Sequence, residues 1–308
     1  MIEGVSTRNR EAEDDLAALN DGNPFAWQAS WWDELSATMD IQWWVAEIDG
    51  RPVGFAAACR EPVAAGGYGA AIVNVVPSDR RRGVGTALRA RVEAAARECV
   101  PGLIYNCVIG QSDAEAAVRA WSLPEVGRHV ESAMDVAGAD PVTLEELATS
   151  HGHDLRPFSA PGHDEEQLRV MHAFVVDRLG ESPDMAGGGG LSYEAFVGML
   201  ELPGAMLVAY EEGQPTGFTL VIARPGQPQA RNTFFTGVAP SSRGRGLATA
   251  LKTRHILLLR EEGVTEVVTQ NMEHNEPILA ANRRLGFVPS IEYVDLAVDF
   301  GDPSASPA

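Results

Sequence analysis

The sequence predicts an α/β (α+β) fold built twice in one chain. Three observations carry that expectation: a long-period repeat, a strand-helix-strand order in each copy, and a glycine loop joining a strand to a helix in both. Val45-Ala46 followed by Gly50, Pro52, Gly54 and Phe55 recurs as Val208-Ala209 followed by Gly213, Pro215, Gly217 and Phe218. Pro77-Ser78, Arg80, Arg82-Gly83 and Thr86-Ala87-Leu88 recur as Pro240-Ser241, Arg243, Arg245-Gly246 and Thr249-Ala250-Leu251. All these pairs stand at one offset of 163 residues, the distance from Val45 to Val208. A period that long is a whole domain, since solenoid repeats run at roughly 20 to 50 residues. A chain of 308 residues accommodates two domains,, drawn here at residues 1–145 and 150–308.

The first half opens with a helix expected around Arg10 to Leu19, where Ala12, Leu16 and Leu19 recur among acidic residues,. Trp27, Trp31 and Trp32 follow at the spacing of one helical face, which reads as core or domain contact. Residues 43–48 and 53–59 are two apolar strands around Asp49-Gly50, a hairpin signal. Their copies are 206–210 and 217–223, turning at Glu212-Gly213. A third strand, Ala70 to Val76, ends at Pro77, and its copy, Thr233 to Ala239, ends at Pro240. Long helices succeed them over Val84 to Cys99 and Leu247 to Glu262. The second half continues with a strand at Glu266 to Thr269, a short helix at Pro277 to Leu285 stopped by Gly286, and a last strand at Ile291 to Val298. The stretch after Leu103 has no clear counterpart to these. The linker lies between Ala137 and Gly152 around a short helix, Leu144 to Ala148. Helices are also expected at 165–179 and 192–200, with Gly187 to Gly190 between them as either a flexible loop or the rim of a cleft.

Composition narrows the function. A net charge of −19 and a pI near 4.7 argue against a nucleic-acid partner, which needs a basic footprint. The same field favours cationic ligands. No apolar run approaches the length of a membrane span, and the start carries no export pattern, so no membrane association is expected and the location expected is cytoplasmic. Cys59, Cys99 and Cys107 form neither a disulfide framework nor a zinc motif and are expected as buried thiols,. His151-Gly152-His153 is too little for a metal site, and none is expected.

The chemistry sits in the glycine loops. Arg243-Gly244-Arg245-Gly246-Leu247-Ala248-Thr249 lies between a strand and a helix N-terminus, where small residues let the backbone approach a ligand and converging amides and the helix dipole favour an anion. Arg80-Arg81-Arg82-Gly83-Val84-Gly85-Thr86 offers the same arrangement. Neither loop is a Walker or dinucleotide fingerprint. Val238-Ala239-Pro240, the loop from Arg243 to Ala248, and then Asn271, Asn275, Asn282 and Leu285-Gly286-Phe287 resemble the signature of the GNAT superfamily of acetyl-CoA-dependent N-acetyltransferases. Val75-Val76-Pro77 and Arg80 to Gly85 carry the first part of it again, without the asparagine helix. The likeness covers most of residues 150–300 and about 43–99. Two fused copies resemble the tandem arrangement of mycothiol-synthase-type enzymes.

The resemblance implies two GNAT folds, each a mixed, mostly antiparallel sheet with flanking helices, and acetyl-CoA as cosubstrate. It implies that the third strand bulges and splays, freeing backbone near Val238, and by analogy near Val76, for the pantetheine arm and an oxyanion. It also implies that the amides of Arg243 to Thr249 take the pyrophosphate, that Asn275 and Asn282 face pantetheine, and that Arg283 reaches a phosphate. Asn275 has a second reading as a helix cap before Pro277.

An alkylammonium must lose a proton before attack, yet the third strand offers Asn232, Thr233 and Thr236 and no acid. A water chain, or Glu273 or His274 just after Asn271, is the candidate base, and Tyr293 the candidate acid for the leaving thiolate. The second copy is expected to be catalytic and the first a degenerate, non-catalytic half. The expected activity is transfer of acetyl from acetyl-CoA to a primary amine of a small, cationic molecule in a ternary complex. The alternatives are a non-catalytic CoA-binding or sequestering protein and a protein or peptide N-acetyltransferase.

Overall fold

The structure is a computed structural model and describes residues 4–23, 25–149, 152–182 and 191–301. The described chain divides into two compact units, residues 4–128 with 293–301, and residues 129–182 with 191–292. The expected boundary at 145–150 falls inside the second unit. Gly187 to Gly190 and His151 lie outside the described residues.

The first unit runs β1 (Val5–Asn9), α1 (Leu16–Leu19), α2 (Ala26–Leu35), β2 (Ile41–Ile48), β3 (Arg51–Ala64), β4 (Tyr68–Val75), α3 (Val84–Ala96), β5 (Gly102–Val108) and α4 (Ser112–Trp121). The hairpin between β2 and β3 turns on Asp49 and Gly50, both at positive φ (51° and 75°), the pairing a tight two-residue turn requires. Alternation along the strands divides the core by face. Trp44, Ala46, Ala56 and Ala58 pack with Leu88, Val92 and Ala96 of α3, while Val45, Phe55 and Ala57 meet Leu19, Ala29 and Trp32 of α1 and α2. The antiparallel order β1-β2-β3-β4 is followed by a short parallel contact of β4 with β5.

The remaining elements are β6 (Glu125–Asp135), α5 (Pro141–Thr149), β7 (Asp154–Phe158), α6 (Glu165–Gly180), α7 (Tyr193–Met199), β8 (Met206–Glu211), β9 (Gln214–Ala223), β10 (Ala230–Val238), α8 (Leu247–Glu261), β11 (Glu266–Met272), α9 (Glu276–Arg284) and β12 (Val288–Asp299). Glu212 and Gly213 repeat the positive-φ turn (53° and 79°) between β8 and β9. Met206, Val208, Phe218 and Leu220 face α6 and α7. Leu207, Ala209, Val221 and Val267 face the opposite way, against α8 and α5.

Each unit takes in a strand from the other half of the sequence. Residues 293–299 of β12 pair antiparallel with β5 in the first unit, and residues 129–135 of β6 pair antiparallel with β11 in the second.

Several expectations are corrected. The opening helix spans only Leu16–Leu19, because Asp14 takes the Arg8 guanidinium and the Glu11 amide, and Asp15 accepts the Ala18 amide as an N-cap. Acidic side chains bonded to local backbone oppose helix extension. Edge strands β1 and β7 precede the expected ones, so the splayed strand is fourth in each copy rather than third. Helix α5 begins earlier, at Pro141, where Asp140 accepts the Val142 and Thr143 amides,. Cys59 and Cys107 are buried, but Cys99 is exposed. No helix among the described residues is long and apolar enough to cross a membrane.

Candidate active site

The two glycine loops fold alike. Each leaves its strand through one 3-10 turn, Pro77–Asp79 or Pro240–Ser242. Each then bends through two left-handed residues, Arg81 and Gly83 (φ 64° and 82°) or Gly244 and Gly246 (73° and 74°). Gly83 and Gly246 are the N-cap residues of α3 and α8, and neither helix start has a side-chain capping bond. First-turn amides with no side-chain acceptor, gathered in a left-handed bend, form an anion cradle.

The arginines brace this cradle. Arg80 Nε donates to the Val75 carbonyl at 2.9 Å and Arg243 Nε to that of Val238 at 3.1 Å. Their outer nitrogens are held as well, Arg80 by the Gly22 carbonyl and Asp113, and Arg243 by Glu181. Arg82 pairs with buried Asp79, which also holds Arg51, and Arg245 pairs with Glu211. With these arginines held, the donors the bend offers an anion are its main-chain amides.

Below each loop the sheet opens. In the first unit the β4-β5 ladder stops at Ala71 and Tyr105, and beyond it lies a cleft of about 350 Å³ lined by Val73, Val75, Cys107, Val118, Trp121 and the loop from Gly83 to Thr86. The wall is largely apolar, suiting an alkyl-amide arm. In the second unit the β10-β11 ladder stops at Thr233 and Thr269. There the β9-β10 register skips from Thr233 to Phe235, so Phe234 is an extra residue at the apex of the splay. The first copy has no such skip, its β3-β4 register running unbroken from Gly54 with Val75 to Cys59 with Ala70. A bulge leaves backbone groups out of the ladder, and this one lies where the β10-β11 ladder ends.

The model of the acetyltransferase (GNAT) family matches residues 12–122 and 181–287, which are the two copies. The chain belongs to the GNAT acetyltransferase family. It is 30% identical over 263 residues to the mycothiol acetyltransferase of Nocardia farcinica, covering 82% of this chain and 80% of that one. Its fold is similar to the GCN5-related N-acetyltransferase of Sphaerobacter thermophilus (TM-score 0.74, 18% identity, 97% of each chain). It is likewise similar to a tandem GNAT protein from the clavulanic acid biosynthesis pathway (TM-score 0.69, 21% identity, 97% of this chain and 99% of that one). The protein is a tandem GNAT N-acetyltransferase.

In this GNAT enzyme the expected site residues fall into three groups. Val238, Gly244, Gly246, Leu247, Ala248 and Thr249 gather around the second cradle, as Val76, Gly83, Val84, Gly85 and Thr86 do around the first. Asn271 and Asn282 meet directly, Asn282 Nδ2 donating to Asn271 Oδ1 at 2.8 Å with both side chains buried. That bond ties α9 to β11 and leaves Asn282 Oδ1 without a partner. Asn275 occupies the N-cap position of α9, but its side chain makes no capping bond. Arg283 is exposed and paired with Glu276 at 3.0 Å.

The catalytic candidates are divided between the two units. Glu273 and His274 are exposed in the turn after β11. Tyr293 belongs to the first unit, paired in register with Val108 and edge-on to Phe25 at 5.2 Å.

Three features escaped the sequence. Phe234 has no signal, because the connection before it is one residue shorter than in the first copy and the offset is unchanged on either side. Glu131 of β6 is 4% exposed and accepts from Gln270 Nε2 at 2.9 Å, but it lies in the stretch that could not be matched. Lys252 of α8 is 3% exposed, its Nζ lacking a hydrogen bond and lying 4.9 Å from the Phe287 ring. Burial pushes the Lys252 ammonium down to about 7, and burial pushes neighbouring His255, bonded to the Gly204 carbonyl, down to about 4. Both break the apolar pattern of α8, the one signal that could have flagged them.

Proposed function

We propose that the second unit transfers an acetyl group from acetyl-CoA to a primary amine of a small, cationic molecule, by direct attack in a ternary complex. The observation that supports this most is the Phe234 bulge at the splay of β10 and β11, above the Gly246 cradle. Bound acetyl-CoA would supply an activated thioester at that splay. Amides of Gly244 to Thr249 hold the diphosphate, and the backbone freed at the bulge donates to the thioester oxygen as charge develops there. A preorganised donor of this kind is worth about 10²–10³ in rate. Asn271 and Asn282 fix α9 against β11 and close one side of the opening. The net charge of −19 favours accumulation of a cationic acceptor.

The first unit supports a second, non-catalytic reading. Its cradle and apolar cleft suit the same class of ligand, but its apex has no register skip to free an oxyanion donor. We assign it a binding or structural role.

Thiol release from acetyl-CoA with a panel of primary amines tests both assignments. Gly246→Ala places a Cβ on a left-handed residue, which costs roughly 1–2 kcal/mol, and is expected to abolish release. Gly83→Ala is expected to leave most of it. Loss in Gly83→Ala with retention in Gly246→Ala overturns the assignment, and coenzyme A binding without release from any amine favours a purely binding protein.

A further inference from the structure

We propose that Glu131, carried into the second unit's sheet by β6, is the carboxylate that removes the proton from the acceptor amine. This rests on the second unit being the site of transfer.

The sheet register places it. Glu131 stands opposite Gln270, the first β11 residue beyond the last β10-β11 pair, Thr233 with Thr269. It is therefore one strand from the opening, about 4.8 Å across the ladder. Paired residues share a face, so Glu131, Gln270, Val268, Asn232 and Ile222 all project to the side where Phe218 and Leu220 meet α6 and α7. Asn271 projects to the other side, which Asn282 of α9 closes at this depth. An acceptor that reaches the apex on the opposite face meets the Glu131 carboxylate.

The surroundings suit a base rather than a structural ion pair. Gln270 Nε2 donates to the carboxylate at 2.9 Å. Arg224, the cation facing it from the end of β9, is drawn toward Glu266 at 3.7 Å. The Ser290 hydroxyl donates to the Glu131 carbonyl at 3.2 Å. Asn232, more than nine-tenths buried on the same face, keeps its Oδ1 without a hydrogen-bond partner. A carboxylate and an unpaired amide oxygen on one face are acceptors awaiting a donor, and an ammonium carries three. Burial, with Glu266 adding to it, holds the Glu131 carboxyl above the usual range against the opposing pull of Gln270, Arg224 and Ser290. A carboxylate raised in this way is a stronger base near neutrality.

In the step, one N–H bond of the ammonium breaks and its proton moves to Glu131, directly or through one water. The freed nitrogen lone pair forms the N–C bond as the C–S bond breaks, and the electron pair leaves on sulfur. The proton shed as the nitrogen becomes an amide goes to that thiolate, and Glu131 returns its proton to solvent.

The test uses full-length protein, acetyl-CoA, and spermidine, glucosamine and lysine as amine probes, with thiol release followed from pH 6.5 to 9.5. Glu131→Gln is expected to lower kcat by about 10²–10³ at neutral pH, within the range of general-base catalysis, while coenzyme A affinity by calorimetry is unchanged. The deficit should shrink as pH rises, because only amine already neutral in solution can then react, and Glu131→Asp should recover part of the rate. Release by Glu131→Gln close to wild type overturns the assignment alone, as does a deficit that stays constant across the pH range. Wild type that binds coenzyme A but releases no thiol with any probe overturns the transfer reading, and the base with it.

Discussion

Replacing Lys252 by Met removes a buried charge that no hydrogen bond compensates and is expected to stabilise the second unit. The side chain is 3% exposed, makes no hydrogen bond and faces an aromatic ring. A fall of the ammonium from 10.5 to about 7 corresponds to about 5 kcal/mol against folding below neutral pH. The unfolded chain holds this proton up to about 10.5 and the folded chain only to about 7, so the unfolded state binds more protons in between and stability climbs with pH. From pH 7.5 to 9.5 wild type should gain roughly 2.5 kcal/mol from this one group. His255, depressed from 6.5 to about 4, loses its contribution only below 6.5, outside that window. Met fills a similar volume and cannot ionise, so Lys252→Met should be the more stable protein at pH 7.5, with the difference narrowing toward pH 9.5. Urea unfolding by circular dichroism, together with hydrogen exchange across α8, reads this. Tryptophan fluorescence would miss it, since all six tryptophans lie in the first unit. A variant no more stable than wild type at pH 7.5, or equal pH slopes in the two proteins, would refute the reasoning.

Two further outcomes follow from the second unit. Deleting Phe234 should close the β9-β10 register without unfolding the sheet and cut turnover by about 10²–10³, the loss of one oxyanion donor, with coenzyme A affinity little changed; turnover kinetics beside calorimetry decide it. Asn282→Ala leaves the buried Asn271 oxygen only the long 3.4 Å bond from Thr269 Oγ1 and should cost about 1–3 kcal/mol, seen as a lower urea midpoint, and unchanged stability would mean that Thr269 or water replaces the lost donor.

Local chemistry made much of this molecule legible. The hairpins at Asp49-Gly50 and Glu212-Gly213 and the helix starts after Gly83 and Gly246 are fixed by short-range backbone demands, so residue types alone located them. Strands β1 and β7 were silent because they are short edge strands, one of them carrying Pro157, with little apolar alternation. The exchange of β6 and β12 is a matter of which strand pairs with which, and pairing partners far apart in sequence leave no local trace. Glu131 follows from that exchange: its burial depends on β11 lying beside it, and no pattern within β6 announces a functional carboxylate. Strand β10 carries no acid, and Glu273 and His274, the candidates its neighbour offers near Asn271, are exposed.

Everything proposed for the second unit depends on main-chain donors holding acetyl-CoA across the opening of β10 and β11. A crystal structure of the protein with acetyl-CoA measures this directly. The account predicts the diphosphate on the amides of Gly244 to Thr249 and the thioester oxygen against the backbone at Phe234. Ligand confined to the cleft of the first unit, or a diphosphate held by arginine side chains with those amides unengaged, would contradict it.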